Sequence, residues 1–487
     1  MGLLTTGDWE GRIYDGSWHP AAGGTVDIVE PATGERLTTA GVANSEDMAA
    51  AVRGAVVAQR GWAAMPYTER AAVLRRAAEL WESHGAEISS WLVRETGATR
   101  RKAAYEVRGA VEESIEAAGL PPLPIGEVLP TRDGLLSMTR RVPVGVVAVI
   151  APFNAPLKLA IRSVAPALAL GNAVVLKPDP RTPVSGGVVL ARVFEEAGLP
   201  AGVLHVVPGD AEASEALVAD PAVRAVSFTG STTVGRAVGE QAGRRFVHLH
   251  LELGGNSALV VLDDADVERA VAAAVYGTFF HQGQICMASG RHLVHESIYE
   301  RFVQRLSERA AALTVGNPAV DDVALGPLID ERQRDKVHGL VTASVAAGAR
   351  LTTGGCYDGL FYRPTVLADT APGIPCYDNE VFGPVASVAS FDSVDKAVDL
   401  AADSSFGLSL GILTADVAHG LELAERIPTG IAHINDQPIN DAANAPMGGM
   451  FDSGTAATRF GGSAANIEAY TTTRWITAHT KIPDYAM

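Results

Sequence analysis

The stretch FHQGQICMASGR, residues 280–291, carries Cys286, one of three cysteines in a chain of 487 residues. A deprotonated thiol is a strong nucleophile, whereas most free cysteines are buried and behave as small hydrophobes. Gln282, Gln284 and Ser289 around it, with Gly283 before it, place Cys286 on a loop between a helix ending near Phe280 and the strand RHLVHE. Functional residues concentrate on such loops. Glu252 ends the strand VHLHLEL and is followed by Gly254 and Gly255, a setting in which a carboxylate can act as a base beside room for water. Asn154 sits at a strand-to-helix turn in APFNAPLKLAIR, where its amide can donate to a developing oxyanion. On spacing alone, Cys286 fits a nucleophile and a structural cysteine equally well.

Lys158 and Arg162 follow Asn154 at four-residue spacings and so share a helical face with it. That face is either the solvated side or a pair of cations on a ligand's approach, suited to a phenolate or carboxylate. His248, His250 and Glu252 alternate onto one face of their strand, an H-x-H-x-E arrangement that invites a metal. No other ligand cluster accompanies it, and histidines in parallel sheets are commonly packed or hydrogen-bonded, so no metal is expected. FTGSTTVG, residues 228–235, sets Gly230 and Gly235 between a strand and a helix, where free backbone N–H groups can meet a pyrophosphate. A tight turn with no ligand explains it as well. Lys177 in LKPDP ends the strand one unit earlier and can reach a ribose or phosphate, or be solvated.

The elements that must position these residues follow from periodicity. Residues 45–118 read as helical, with Ser45 as a plausible N-cap, and PPLPIGEVLP, residues 121–130, interrupts the pattern. From 173 to 253, the strands AVVLK, VLHVV, AVSFTG and FVHLHLEL alternate with helical segments, which is the βαβ pattern of a parallel sheet that binds ligands beyond its strand ends. A second alternating region from about 258 to 435 includes a helix capped near Asp264. The tail YTTTRWITAHTKI has strand character and finds its natural partner in 131–146, together forming an arm able to extend a neighbouring subunit's sheet.

Size and charge narrow the rest. The length calls for two or three domains. A formal charge of −17 gives no general attraction to nucleic acid or anionic lipid, and no apolar run is long enough to span a bilayer. Cysteines at 286, 356 and 376 form no C-x-x-C pair, so a reducing, cytoplasmic setting is expected.

Taken in order, APFNAP, LKP, FTGSTTVG, LELGG, GQIC, EVFGP and PMGG resemble the aldehyde dehydrogenase superfamily from about residue 25 to the end. The wording of APFNAPLKLAIRSVAPALALGNAVVLKPDPRTPVSGG, HQGQICMASGR and AHINDQPIND is most similar to its benzaldehyde and vanillin dehydrogenase branch. The resemblance implies an α/β fold with a Rossmann-like dinucleotide-binding domain (1–128 and 147–253), a second α/β catalytic domain (254–455) and a small β oligomerisation arm (129–146 and 456–487), assembled as homodimers or homotetramers. It implies oxidation of an aldehyde, of aromatic type, through a cysteine thiohemiacetal and thioester. Cys286 is then the nucleophile, Glu252 the general base and Asn154 the oxyanion donor. Lys177, Gly230, Ser231 and Gly235 would hold the adenosine and pyrophosphate, Glu380 and Phe382 the nicotinamide end, and Lys158, Arg162 and Phe280 would line the substrate pocket. Phe153 replaces the tryptophan usual before the asparagine, and Asn256 stands where many members have lysine. Pro180 stands where NAD-preferring members often have a ribose-chelating glutamate, with Arg181 beside it, so either NAD or NADP is expected. A CoA-acylating relative, a semialdehyde dehydrogenase for a carboxylate-bearing aliphatic aldehyde and a non-catalytic homologue are the alternatives.

Overall fold

The computed structural model describes residues 2–123, 126–455, 459 and 461–485. Four helices, Ser45–Ala64, Tyr67–Ser83, Gly85–Thr96 and Arg100–Ala118, occupy the region read as helical. The first is capped by Asn44 and not by Ser45. The Asn44 side chain accepts from the N–H groups of Glu46 and Asp47, and Asp47 accepts from the Asn44 N–H in return, a reciprocal pairing that satisfies orphan donors at both positions.

The first seven-stranded sheet runs His248–Glu252, Val223–Thr229, Val146–Ile150, Ala173–Lys177, Leu204–Val206, Arg12–Tyr14 and Trp18–Pro20. The first five strands are parallel, and the last two are antiparallel additions. Helices on both faces explain the continuous apolar runs. Val147 and Val149 enter one core with Val174 and Leu176, while Val146, Ala148 and Ile150 enter the other with Val175 and Val226. Because the central strands are parallel, the residues just past their carboxyl ends gather along one edge.

Chain 253–256 leads directly into the second seven-stranded sheet, ordered Arg350–Thr353, Thr365–Ala368, Val385–Phe391, Ser289–His295, Ser257–Val261, Ser409–Leu413 and Ile431–Ile434. All but its first strand are parallel. The helix expected to be capped near Asp264 is capped by Asp266. Asp264 instead accepts from the Thr414 hydroxyl and from the N–H groups of Ala415 and Asp416. Leu135–Pro143 pairs antiparallel with Thr471–His479, from Thr471 opposite Pro143 to His479 opposite Leu135. Of the segment 456–487, residues 456–458, 460, 486 and 487 lie outside the described residues. Among the described residues, no helix is long and apolar enough to cross a membrane.

Candidate active site

Four of the candidate residues lie at consecutive strand ends of the first sheet. Asn154 follows Val146–Ile150, Lys177 ends Ala173–Lys177, Gly230 follows Val223–Thr229, and Glu252 ends His248–Glu252. The Gly230 N–H donates to the Glu252 carbonyl at 3.0 Å, which ties two of these ends together. Glycine leaves room at Gly230 and Gly235, where an added Cβ would force the Phe228 ring and the Leu253 side chain respectively to shift. The Ser231 hydroxyl caps Thr232–Gly243 by accepting from the Val234 N–H.

The Cys286 loop meets this edge from the second sheet. It is approached through His281, Gln282 and Gly283 with φ of 51°, 57° and 67°, a left-handed run costly for the two side-chain-bearing residues and characteristic of functional sites. Buried anchors hold it: Gln282 Nε2 donates to the carbonyls of Gly97 and Pro327, and Gln284 Oε1 accepts from the Ile329 N–H. Asn154 Nδ2 donates to the Gln284 carbonyl at 2.8 Å, leaving its second hydrogen for another acceptor. Lys102, ion-paired with Glu106, donates to the Asn154 carbonyl, and Glu106 accepts from the N–H groups of Leu157 and Lys158 that open Pro156–Ala169. Gly255 lets the strand pass against the Cys286 carbonyl, where any Cβ would collide.

Burial, then the carboxylates of Glu380 and Glu252, push the Cys286 thiol well above its usual value, against a hydrogen bond from the Met287 N–H. A positive charge brought beside it would reverse the balance. Glu252 is buried, with Oε1 at 2.9 Å from His250 Nε2. Its Oε2 has no hydrogen-bond partner among the described residues.

The reading of Lys158 and Arg162 as a solvated face or as free cations on the substrate's approach requires correction. Both are buried, and both meet Asp441, a residue the sequence reading did not single out. Lys158 pairs with one Asp441 oxygen, Arg162 Nη1 with the other at 2.8 Å, and Arg162 Nε with Glu113 at 2.7 Å. Tyr105 donates to Asp441 at 2.6 Å and accepts from Lys158 at 2.7 Å. Burial alone would raise the Asp441 carboxyl, but Arg162 and Lys158 hold it well below its usual range. Two cations against two carboxylates make the group neutral overall. Next to it, Phe280 stacks on Tyr276 at 4.8 Å and meets Tyr105 edge-on at 6.1 Å. Phe280 and Cys286 both pack against the cluster of Met287, Leu408, Ile439 and Met447.

The residues expected at a dinucleotide fit such a ligand. Lys177 is buried, burial lowers its pKa, and its ammonium has no hydrogen-bond partner among the described residues, so it awaits an acceptor such as a ribose hydroxyl or phosphate. Glu380 accepts from the Gly255 N–H at 2.9 Å, and Phe382, at φ 55°, lies edge-on to Phe153 at 5.9 Å. Arg181 is less available than its place beside Pro180 suggested. Its guanidinium is paired with Asp179 and Asp330 and lies 4.1 Å from the Phe153 ring centroid.

A model of the aldehyde dehydrogenase family matches residues 18–476. The vanillin dehydrogenase of an Amycolatopsis species is 63% identical over 485 residues, covering 100% of both chains. A benzaldehyde dehydrogenase [NAD(+)] of Pseudomonas putida is 49% identical over 478 residues, covering 98% of each. Among solved structures, a salicylaldehyde dehydrogenase from Pseudomonas putida G7 complexed with salicylaldehyde superposes with a TM-score of 0.94 at 33% identity, over 98% of this chain and 99% of that one. Matched nearly end to end in sequence and in fold, the chain belongs to the aldehyde dehydrogenase family.

Proposed function

We propose that the chain oxidises an aromatic aldehyde to its carboxylic acid, with NAD, or NADP in its place, as the hydride acceptor. The observation that carries the aromatic substrate is the aromatic group of Tyr276, Phe280 and Tyr105, whose Phe280 packs against the same apolar cluster as Cys286, with a charge-neutral group beside Tyr105. A planar ring gains from edge and face contacts with such rings. An aliphatic aldehyde ending in a carboxylate would need an unpaired cation, and Lys158 and Arg162 are already matched by Asp441 and Glu113. Likeness to vanillin and benzaldehyde dehydrogenases supports the same reading.

The first sheet's unit would hold the dinucleotide through Lys177, the Gly230–Gly235 turn and the Ser231 backbone, with Glu380 and Phe382 at the nicotinamide end. When bound, the cofactor supplies an oxidised, positively charged ring that accepts the hydride. Cys286 loses its proton and attacks the carbonyl carbon, while the free Asn154 amide hydrogen and the Cys286 N–H stabilise the alkoxide. Loss of hydride leaves a thioester on Cys286, and Glu252 draws a proton from the water that hydrolyses it. The strand pair of Leu135–Pro143 and Thr471–His479, with Trp475 exposed, is the element through which copies of the chain would associate.

Asn154→Ala is expected to lower kcat by ~100- to 1,000-fold, the usual effect of losing one oxyanion donor, and to leave KM for NAD unchanged. Steady-state kinetics check this, and a rate near that of the parent enzyme places the donor elsewhere. The proposal as a whole is tested by following reduced cofactor with benzaldehyde, vanillin and succinic semialdehyde, each with NAD and with NADP. The two aromatic substrates should dominate. Activity confined to succinic semialdehyde overturns the aromatic assignment, and reduction of neither cofactor with any of them overturns the oxidation itself.

A further inference from the structure

The H-x-H-x-E face of the His248–Glu252 strand is only partly used by the chemistry above. His248 is exposed and takes no part, and among the described residues no group of three His, Cys, Asp or Glu side chains could hold a metal. His250 remains, buried beside Glu252. We propose that His250 is a positioning residue for Glu252, fixing Oε1 so that Oε2 is the oxygen that takes the proton of the hydrolytic water.

Strand alternation puts both side chains on the same face, and the imidazole spans the gap, with Nε2 2.9 Å from Oε1. Both residues are buried, at 4% and 2% exposure, where a hydrogen bond to a carboxylate is stronger than in water. Gly448 comes near the same oxygen, since a Cβ there would lie 3.2 Å from Oε1. The Glu252 backbone is fixed as well: it bridges to Gly454, and the next N–H, of Leu253, donates to the Ser453 carbonyl at 2.9 Å. What remains free is rotation about the side-chain bonds, and His250 is the group that restrains it. Oε2 is buried and has no hydrogen-bond partner among the described residues, so it keeps its lone pairs for the hydrolytic water.

The step balances. The water oxygen bonds to the acyl carbon, one water proton passes to Oε2, and the electron pair of the broken C–S bond returns to the sulfur of Cys286 as the acid leaves. His250 transfers no proton; it holds the acceptor aimed.

The proposal rests on Glu252 being the base, and rapid mixing of enzyme and NAD with benzaldehyde separates the two ideas. In His250→Ala, the first turnover's hydride transfer should stay within ~3-fold of the parent while steady-state kcat falls ~10- to 100-fold, the scale of a misaimed group, so that a burst of NADH precedes a slow phase. KM for benzaldehyde should not move. His250→Gln keeps a donor of similar reach and should recover most of the rate, whereas His250→Asn, too short to reach Oε1, should behave as alanine does. Equal slowing of burst and steady state in all three variants, or full turnover in His250→Ala and His250→Asn, overturns the proposal. Full turnover in Glu252→Gln has a different signature: it removes the base itself, and the proposal with it.

Discussion

Cys286→Ala should lower kcat for benzaldehyde oxidation by ~10,000-fold or more while the protein still binds NAD, the scale seen when the nucleophile of a covalent mechanism is removed. The size of the loss follows from what surrounds the sulfur. The side chains beside it, Ile285 and Met287, are apolar, and Gln284 is committed to the Ile329 N–H and, through its carbonyl, to Asn154. Neither other cysteine can substitute: Cys376 is sealed in a core of the second sheet, and Cys356 is exposed next to the strand Tyr357–Asp358. Binding should survive because the loop is held by Gln282, Gln284 and Gly255, none of which uses the thiol. NADH formation gives the rate, nucleotide fluorescence the binding, and mass spectrometry of trapped parent enzyme the position of the acyl group. An adduct on another residue, or turnover preserved in the variant, would sink the thiol mechanism.

What could be read beforehand was whatever depends on local pattern. Alternation and apolar runs mark the strands, and the βαβ pattern of 173–253 implies a parallel sheet with Lys177, Gly230 and Glu252 at its strand ends; that the strand before Asn154 lies between theirs is seen in the structure. The arm was legible because two isolated strand-like segments had no nearer partner, and their register is now explicit. Caps were found to within a residue or two, because Asn44 beside Ser45 and Asp266 beside Asp264 offer the same side-chain chemistry and only geometry chooses between them.

What could not be read depends on partners far apart in the chain. Lys158 and Asp441 are separated by 283 residues and Tyr105 and Asp441 by 336, so nothing local marks Lys158 and Arg162 as buried and neutralised. A signal did exist in Arg100–Ala118. Lys102, Glu106 and Glu113 recur at four and seven residues among alanines, a charged stripe on one face of a helix, and all three are buried against Pro156–Ala169 or the turn before it. The H-x-H-x-E face reads as packed or hydrogen-bonded histidines beside a base, but a sequence gives only the side on which residues lie and not the direction in which an imidazole turns, so the His250–Glu252 bond is visible only in the structure. Arg181 is similar: its nearness to Pro180 was visible, its ties to Asp179, Asp330 and Phe153 were not.

Glu252→Gln should separate the two halves of the reaction more sharply than any other substitution. Glutamine keeps the shape and can still meet His250, but it cannot take a proton from water. Hydrolysis should therefore slow by ~100- to 10,000-fold, the range a positioned general base contributes, with hydride transfer much less affected. The enzyme should release ~one equivalent of NADH per active subunit and then stall, as expected when an acylated cysteine accumulates. Its mass should rise by that of a benzoyl group in place of hydrogen, and added hydroxylamine should discharge it. The thiol's own ionisation sharpens the contrast, because the Glu252 carboxylate is one of the groups raising it; a neutral amide at 252 relieves that repulsion, so acylation should be no slower and is expected to reach its maximal rate at lower pH. Removing His250 as well should add little, since a residue that acts only through Glu252 has nothing left to position, and the double variant should match Glu252→Gln within ~0.5 kcal/mol instead of summing the two losses. A Glu252→Gln enzyme that stalls without a burst would mean that the carboxylate is needed before hydride transfer, and the assignment of base and step would have to be reversed.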